Sequence, residues 1–339
     1  MSKARLGGIK AFARRAYLTS LCRSGDDALG DICSRLSAER INLNLLTHIA
    51  DTGMHRSITA ASTENAEGFS SYIHWKVSHG QCNVGKLLTD VSAVSIFPHD
   101  QKLDVIGSLI SVLAGNGIRP YGFASSPSAM TMLIPSSELE GIICGLFDAF
   151  EFPAYSSPLD WHAAYRGQED LLNEIICSYQ EEVIKVYNLH HLSGLDLWKI
   201  TLPLKSLGDL GSVLLELNEL SLKMPFLVSK SSLAAETMCF AFCLAASCRE
   251  AVRAILGRNF PDADLFCHGP ASVFFLHGPH FGDRYGIANA CVRSLRNAHI
   301  APLAISCAVS SVSIVIDEKD SNRSIEALGS SFCIPVRKP

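Results

Sequence analysis

Residues 278–292 read GPHFGDRYGIANACV. They follow the apolar, β-rich run ASVFFL (271–276) and lead into RSLRNAHIAPLAIS (293–306). This order predicts a strand, a glycine-containing turn and a helix starting near Ile287. The first N–H groups of such a helix have no acceptor within it, so the turn can receive an anion, a carboxylate included. Gly286 lets a ligand approach the backbone closely, and Asp283 can receive an ammonium. One group of each sign at one turn suits a zwitterion. The same residues also read as structure alone, with Asp283 capping the helix or its turn and Gly286 supplying the geometry. Spacing leaves both readings open.

Whether the pattern recurs decides the fold. Pro98-His99 returns as Pro279-His280, 181 residues later, and Ile118-Arg119-Pro120 returns as Ile300-Ala301-Pro302, 182 residues later. AMTMLI (129–134) falls on SVSIVI (311–316), Thr19 and Ser24 on Thr201 and Ser206, and Leu29-Gly30 on Leu210-Gly211. The chain reads as a tandem duplication of about half its length.

Each half subdivides again. RAYLTSLC (15–22) reads as a strand, and DDALGDICSRLSAE (26–39) places Leu29, Ile32, Cys33 and Leu36 on one helical face. INLNLLTHIA (41–50) and MHRSITAAS (54–62) form a hairpin, NAEGFSSYIHW (65–75) a helix, and a strand returns. That is the ferredoxin-like βαββαβ order. It recurs to give an α+β fold of four modules, at 13–88, 89–153, 195–265 and 268–336, with antiparallel sheets and helices on one face. The linker at 154–194 carries Leu172, Ile175, Ile176, Tyr179, Val183 and Val186 at helical spacing, an amphipathic stripe that needs a partner surface.

Of the 339 residues, 48% are hydrophobic and 18% charged, with a net charge of −4, which marks a folded chain with no excess of cations for nucleic acid. The longest fully apolar run, MCFAFCLAA (238–246), is about half of what a membrane-spanning helix needs. The twelve cysteines are scattered, mostly in apolar company, and no secretory signal stands before them, which fits a reducing cytoplasm. The start, MSKARLGGIKAFARRAYLTSLCRSG (1–25), is basic without an acid. It reads either as a transit peptide or as a frayed basic start.

GQCNVGKL (80–87) has the glycine and lysine skeleton of a phosphate-binding loop. However, Leu87 cannot ligate Mg²⁺, and a strand follows where that loop needs a helix. Cys239, Cys243 and Cys248 lack the close pairing of zinc sites, and the twelve histidines show no metal-ligand spacing. His190-His191 reads as capping or solvating a helix end. No nucleophile elbow and no dinucleotide-binding fingerprint occurs, so no cofactor, metal or catalytic residue is expected.

The segment FLHGPHFGDRYGIANACVRSLRNAHIAPLAISCAVSSVSIVIDEKDSNRSIEALGSSF (275–332) resembles an ACT domain of the amino-acid-sensing kind found at the C-terminus of aspartate kinases. The family's loop ends D-x-P-G, where this chain has Asp283-Arg284-Tyr285-Gly286, with Tyr285 in the proline's place. Residues 91–150 are a second match, and 15–87 and 196–257 keep the element order more loosely. The resemblance implies that ligands sit where the loop and first helix of one module meet the second strand of another. Carried over, that implicates Asp283, Gly286, Ile287 and Ala288, with Ile305 and Ser306 on the following strand. In the 91–150 module the matching places are Lys102, Val105, Ile106 and Gly107, and Lys102 in place of an acid implies an altered or empty pocket.

Aspartate kinases carry a catalytic domain opening on a K-F-G-G-T-type motif. RLGGIKAF (5–12) has two glycines but not that motif, so regulation without the kinase is expected. The implied function is a non-catalytic amino-acid sensor for an aspartate-family effector such as lysine or threonine, acting on a separate biosynthetic enzyme. Internal pairing of modules is implied within one chain, and a homodimer would use other surfaces. Two alternatives stand: a ligand-free interaction protein built of paired modules, or an enzyme related to aspartate kinase through the shared regulatory region.

Overall fold

The computed structural model describes residues 3–23, 27–51, 56–79, 85–165, 184–232, 234–279, 281, 284–308 and 311–333. In chain order the strands are β1 (Ala4–Arg5), β2 (Gly8–Arg23), β3 (Leu45–Asp51), β4 (Arg56–Thr63), β5 (Leu87–Phe97), β6 (Gly122–Ser125) and β7 (Met130–Pro135). There follow β8 (Phe150–Glu151), β9 (Asn188–Pro203), β10 (Phe226–Ser232), β11 (Thr237–Ala245), β12 (Asp264–His277), β13 (Ala304–Ala308) and β14 (Ser311–Asp317). The fold is α+β and its strands are almost all antiparallel; β1 and β8 form a short parallel pair.

Four long strands organise the rest. β2 runs antiparallel to β5, with Gly8–Phe12 against 93–97 and Tyr17-Leu18 against 87–88, and the register shifts between. β9 and β12 do the same in the second half, bulged around His268, Ala271 and Val273. A bulge bends a strand and increases its twist, so each long pair passes from one sheet into another. β2 meets β4 and β4 meets β3, while β5 meets β7 and β7 meets β6. Likewise β9 meets β11 and β11 meets β10, while β12 meets β14 and β14 meets β13.

The halves join through their edges. β3 pairs with β13, Thr47 opposite Ser306, and β6 pairs with β10, Ala124 opposite Val228. The twelve strands thereby close into a ring and leave no open edge among them. Two side-chain bonds reinforce the short β6–β10 seam: Phe123 N donates to Ser229 Oγ (3.0 Å) and Leu227 N to Ser125 Oγ (2.7 Å).

Side chains alternate across these strands. On β10, Leu227 joins the core under the helices Leu103–Gly115, Leu139–Ala149, Leu207–Asn218 and Arg249–Asn259, while Phe226 and Val228 point into the ring. On β3, Leu46 meets the helices Ala28–Ala38 and Ile287–Asn297, while Leu45 and Ile49 point inward. Apolar side chains thus form clusters shared with the helices and further clusters among the strands alone.

Several expectations change. The described part of the basic start, residues 3–23, is not frayed: Gly8–Arg23 is one strand and Lys3 Nζ donates to Phe147 O (2.9 Å). Apolar Ile9 and Ala11, each buried, alternate with Lys10 there, so the strand has a buried face despite its charge. Gly8–Phe12 precedes the 13–88 boundary and pairs with strand 87–97, as Asn188–Leu192 precedes 195–265 and pairs with 273–277. His190 and His191 cap no helix. They lie in β9 and stack on Phe275 and Phe274, ring centroids 6.2 and 5.3 Å apart. The linker stripe from Leu172 to Val183 lies outside the described residues. Its start is the helix Pro158–Tyr165, pinned by Trp161 Nε1 donating to Ile9 O (3.1 Å). No helix among the described residues is long and apolar enough to cross a membrane.

Candidate functional site

The duplicated Pro-His turn is built by a histidine. His99 is fully buried; its Nε2–H donates to Ser126 O (2.9 Å) and its Nδ1 accepts from Gln101 N (3.0 Å). Burial pulls the imidazole below its usual range, so it stays neutral and serves as a brace for the turn. Its repeat partner, His280, lies outside the described residues.

In the second half this turn meets the first half at a cleft. One wall comes from the C-terminal part of helix Ala28–Ala38 (Cys33, Leu36, Ser37) and the turn at Ile41–Leu43. The other comes from Phe281, Arg284, Gly286 and the first turn of helix Ile287–Asn297, with Cys307 of β13 behind. The cleft is narrow, about 20 Å³, and opens to solvent.

Gly286 is the N-cap of its helix in the left-handed region, at φ 85°. A Cβ there would lie 3.1 Å from Ser37 Oγ on the opposite wall. The conformation therefore favours glycine, and a methyl there would crowd Ser37 Oγ. The helix leaves the N–H groups of Ile287, Ala288 and Asn289 without intrahelical acceptors, and these three residues line the cleft beside Arg284. No carboxylate is present among the described lining residues. The donors and the positive end of the helix dipole suit an anionic group such as an amino acid's carboxylate.

Asp283, the expected ammonium partner, lies outside the described residues. Gly286, Ile287 and Ala288 are brought together at the cleft. Ile305 is buried in the core behind it, and Ser306 faces the other way: its Oγ donates to Ser125 O of the opposite sheet. A serine opposite a core-facing isoleucine must point into the ring, so Ser306 ties two sheets together and takes no place in the cleft. Cys307, on the face of Ile305, does. Its thiol, half-buried at the cleft, is pushed up to about 12 by burial, and Cys33 and Cys291 are likewise raised. No group of His, Cys, Asp and Glu among the described residues is arranged to hold a metal.

The second set is placed differently. Lys102 is the exposed N-cap of helix Leu103–Gly115 and its Nζ lies 3.6 Å from Asp100. Lys102 bridges to Lys223, Met224 N donates to Gln101 O (2.9 Å), and Lys223 Nζ donates to Asp100 O (3.1 Å). The loop is thus sewn onto its neighbour. Val105 and Ile106 are in the core, and Gly107 faces Gly211 of helix Leu207–Asn218. That glycine sits at a helix crossing.

No protein-family model and no curated protein matches the sequence. The fold is similar to that of a solved aspartate kinase from Synechocystis, with a TM-score of 0.77 and 13% identity over 100% of this chain and 58% of that one. The regulatory subunit of aspartate kinase from Thermus flavus aligns with 43% of this chain and 99% of its own, at 15% identity and a TM-score of 0.39. Aspartate kinase from Clostridium acetobutylicum aligns over 46% and 37%, at 13% identity and a TM-score of 0.39. The chain spans little more than half the length of the Synechocystis kinase and has its fold over that part.

Proposed function

We propose that this chain is a non-catalytic regulator that binds a free amino acid between its two halves and acts on a separate enzyme. The carrying observation is the cleft at Gly286, whose walls come one from each half. A ligand there reads the junction of the halves, and whatever it stabilises is the joined state. Four ACT-like modules in an internal pseudo-dimer, helices covering the outer faces, are the architecture this reading uses. The effector class is an aspartate-family amino acid such as lysine or threonine. Its carboxylate would rest on the N–H groups of Ile287–Asn289, and its ammonium would face Asp283. The sewn-up loop at Lys102 carries no ligand in this scheme. The location that goes with this reading is the cytoplasm.

Thermal-shift screening with the twenty amino acids tests the proposal. A ligand at 100 times its Kd adds about 2.7 kcal/mol of stability. Stabilisation by one or two aspartate-family members is expected. Stabilisation by none of the twenty refutes the sensor and favours a protein of paired modules without ligand. Turnover of ATP and aspartate by the purified chain would refute the non-catalytic assignment.

A further inference from the structure

A second cavity opens elsewhere, at one end of the space enclosed by the ring. It measures about 340 Å³, within the range of small-molecule sites. One side carries Tyr17 and Thr19 of β2 with Lys86 just before β5; the other carries Tyr121 just before β6 with Lys230 and Ser231 of β10. Tyr17 and Tyr121 reach towards each other from the two sides and stack, centroids 5.9 Å apart at 24°, so that an aromatic wall spans the cavity. Two ammonium groups and several hydroxyls line it, with no carboxylate among the described lining residues, although the exposed Asp90 acts on Tyr121 from nearby.

The duplication supplies a comparison. Ser231 N donates to Tyr121 O (2.9 Å) and Tyr121 N to Leu133 O (2.7 Å). In the other half Ala50 N donates to Leu303 O (2.9 Å) and Leu303 N to Val315 O (2.8 Å). Ser231 therefore matches Ala50, Tyr121 matches Leu303, and Lys230 matches Ile49. At the matching place Ile49 and Leu303 are packed into apolar core. The nearby cation, Lys199, donates to Ala50 O and lies 4.9 Å from the Phe266 ring centroid. One end of the enclosed space is plugged and its cation is satisfied within the protein. At the other end Lys230 is half-buried and meets no hydrogen-bond or ion-pair partner among the described residues. Burial pulls its ammonium below the usual lysine range, and the cross-strand neighbour Cys239 offsets this in part.

We propose that this cavity binds a small organic dianion, a dicarboxylate whose two ends meet Lys86 and Lys230 and whose carbon chain lies against the tyrosine wall. Inorganic oxyanions share the charge but not the chain, and they fill little of the cavity. The site shares no residue with the Gly286 cleft and stands or falls apart from it.

Titration calorimetry at low ionic strength tests the assignment, with succinate, citrate and inorganic phosphate as probes. Succinate or citrate is expected to bind the wild-type chain saturably at one site. Lys230→Met should weaken that binding at least about tenfold, a charge-assisted hydrogen bond being worth roughly 1.5–3 kcal/mol. Lys230→Arg should recover part of it. Lys86→Met provides a second, more exposed substitution should Lys230→Met fail to fold. No saturable binding of either carboxylate overturns the proposal, as does binding unchanged by both lysine variants, or binding of phosphate alone.

Discussion

Gly107 and Gly211 face each other where helix Leu103–Gly115 crosses helix Leu207–Asn218. A Cβ on Gly107 would lie 2.8 Å from the Gly211 carbonyl oxygen, and one on Gly211 would lie 2.9 Å from that of Gly107. The obstacles are backbone atoms, which cannot rotate aside. These helices come from different halves, so the pair of glycines sets how closely the halves approach. Gly107→Val should therefore destabilise the protein by about 1–3 kcal/mol through overpacking. Gly115→Ala is the control: a Cβ there meets nothing within 4 Å. It should leave the denaturation midpoint unchanged or slightly raised, and equal midpoints for the two variants would remove the crossing from the account.

At the cleft, Gly286→Ala combines two costs, a left-handed backbone and the approach to Ser37 Oγ. The conformation alone costs roughly 1–2 kcal/mol. Adding Ser37→Gly relieves the contact but not the backbone. The double variant should recover only part of the lost stability in urea unfolding. Full recovery would mean that the backbone there relaxes freely.

His48 makes stability depend on pH. It is buried on β3, its Nδ1 2.9 Å from Thr59 Oγ1, and burial with the nearby Lys199 ammonium lowers it from 6.5 to about 4. The unfolded chain takes up this proton near pH 6.5, while the folded chain refuses it until about pH 4. Stability is thus unaffected above pH 6.5 and falls as pH drops from 6.5 towards 4, by roughly 3 kcal/mol from this group. His99, lowered in the same direction, adds to the slope. Urea midpoints for wild type and His48→Gln between pH 7 and pH 4.5 check this. The variant should show the shallower decline, and parallel declines would exonerate His48.

The duplication and much of the element order could be read in the sequence, because strands and helices there differ in period. AMTMLI and SVSIVI are strands as their pattern predicts, and the helix starts at Ile287. What escaped depends on partners distant in the chain. Gly8–Phe12 sits within a basic start, yet it becomes a strand because 93–97 offers it hydrogen bonds. The side on which Ser306 falls follows from which neighbour buries Ile305, and the single sequence is silent on that. The Lys230 cavity had no local signal at all. Its two lysines, Lys86 and Lys230, are more than a hundred residues apart, and only the comparison between the repeats, Lys230 against Ile49, could have hinted at it.

The last expectation concerns the joining of halves. Residues 1–165 and 185–339 each end in strands whose neighbours lie in the other piece: β3 and β6 in the first, β10 and β13 in the second. Separated, each piece exposes two edges together with the inward faces of Phe226, Val228 and Ala304 or of Leu45 and Ala124. Exposed edges template new pairing. The hydroxyl bond from Ser306 to Ser125 O and the Gly107–Gly211 crossing specify the partner. Mixing the pieces should give a one-to-one complex with a Kd below about 1 μM, as suits a large, apolar junction. Either piece alone should self-associate or aggregate. Sedimentation of the pieces, separate and mixed, reads this directly: stable homodimers of each that never exchange would show that the ring closes between chains instead of within one.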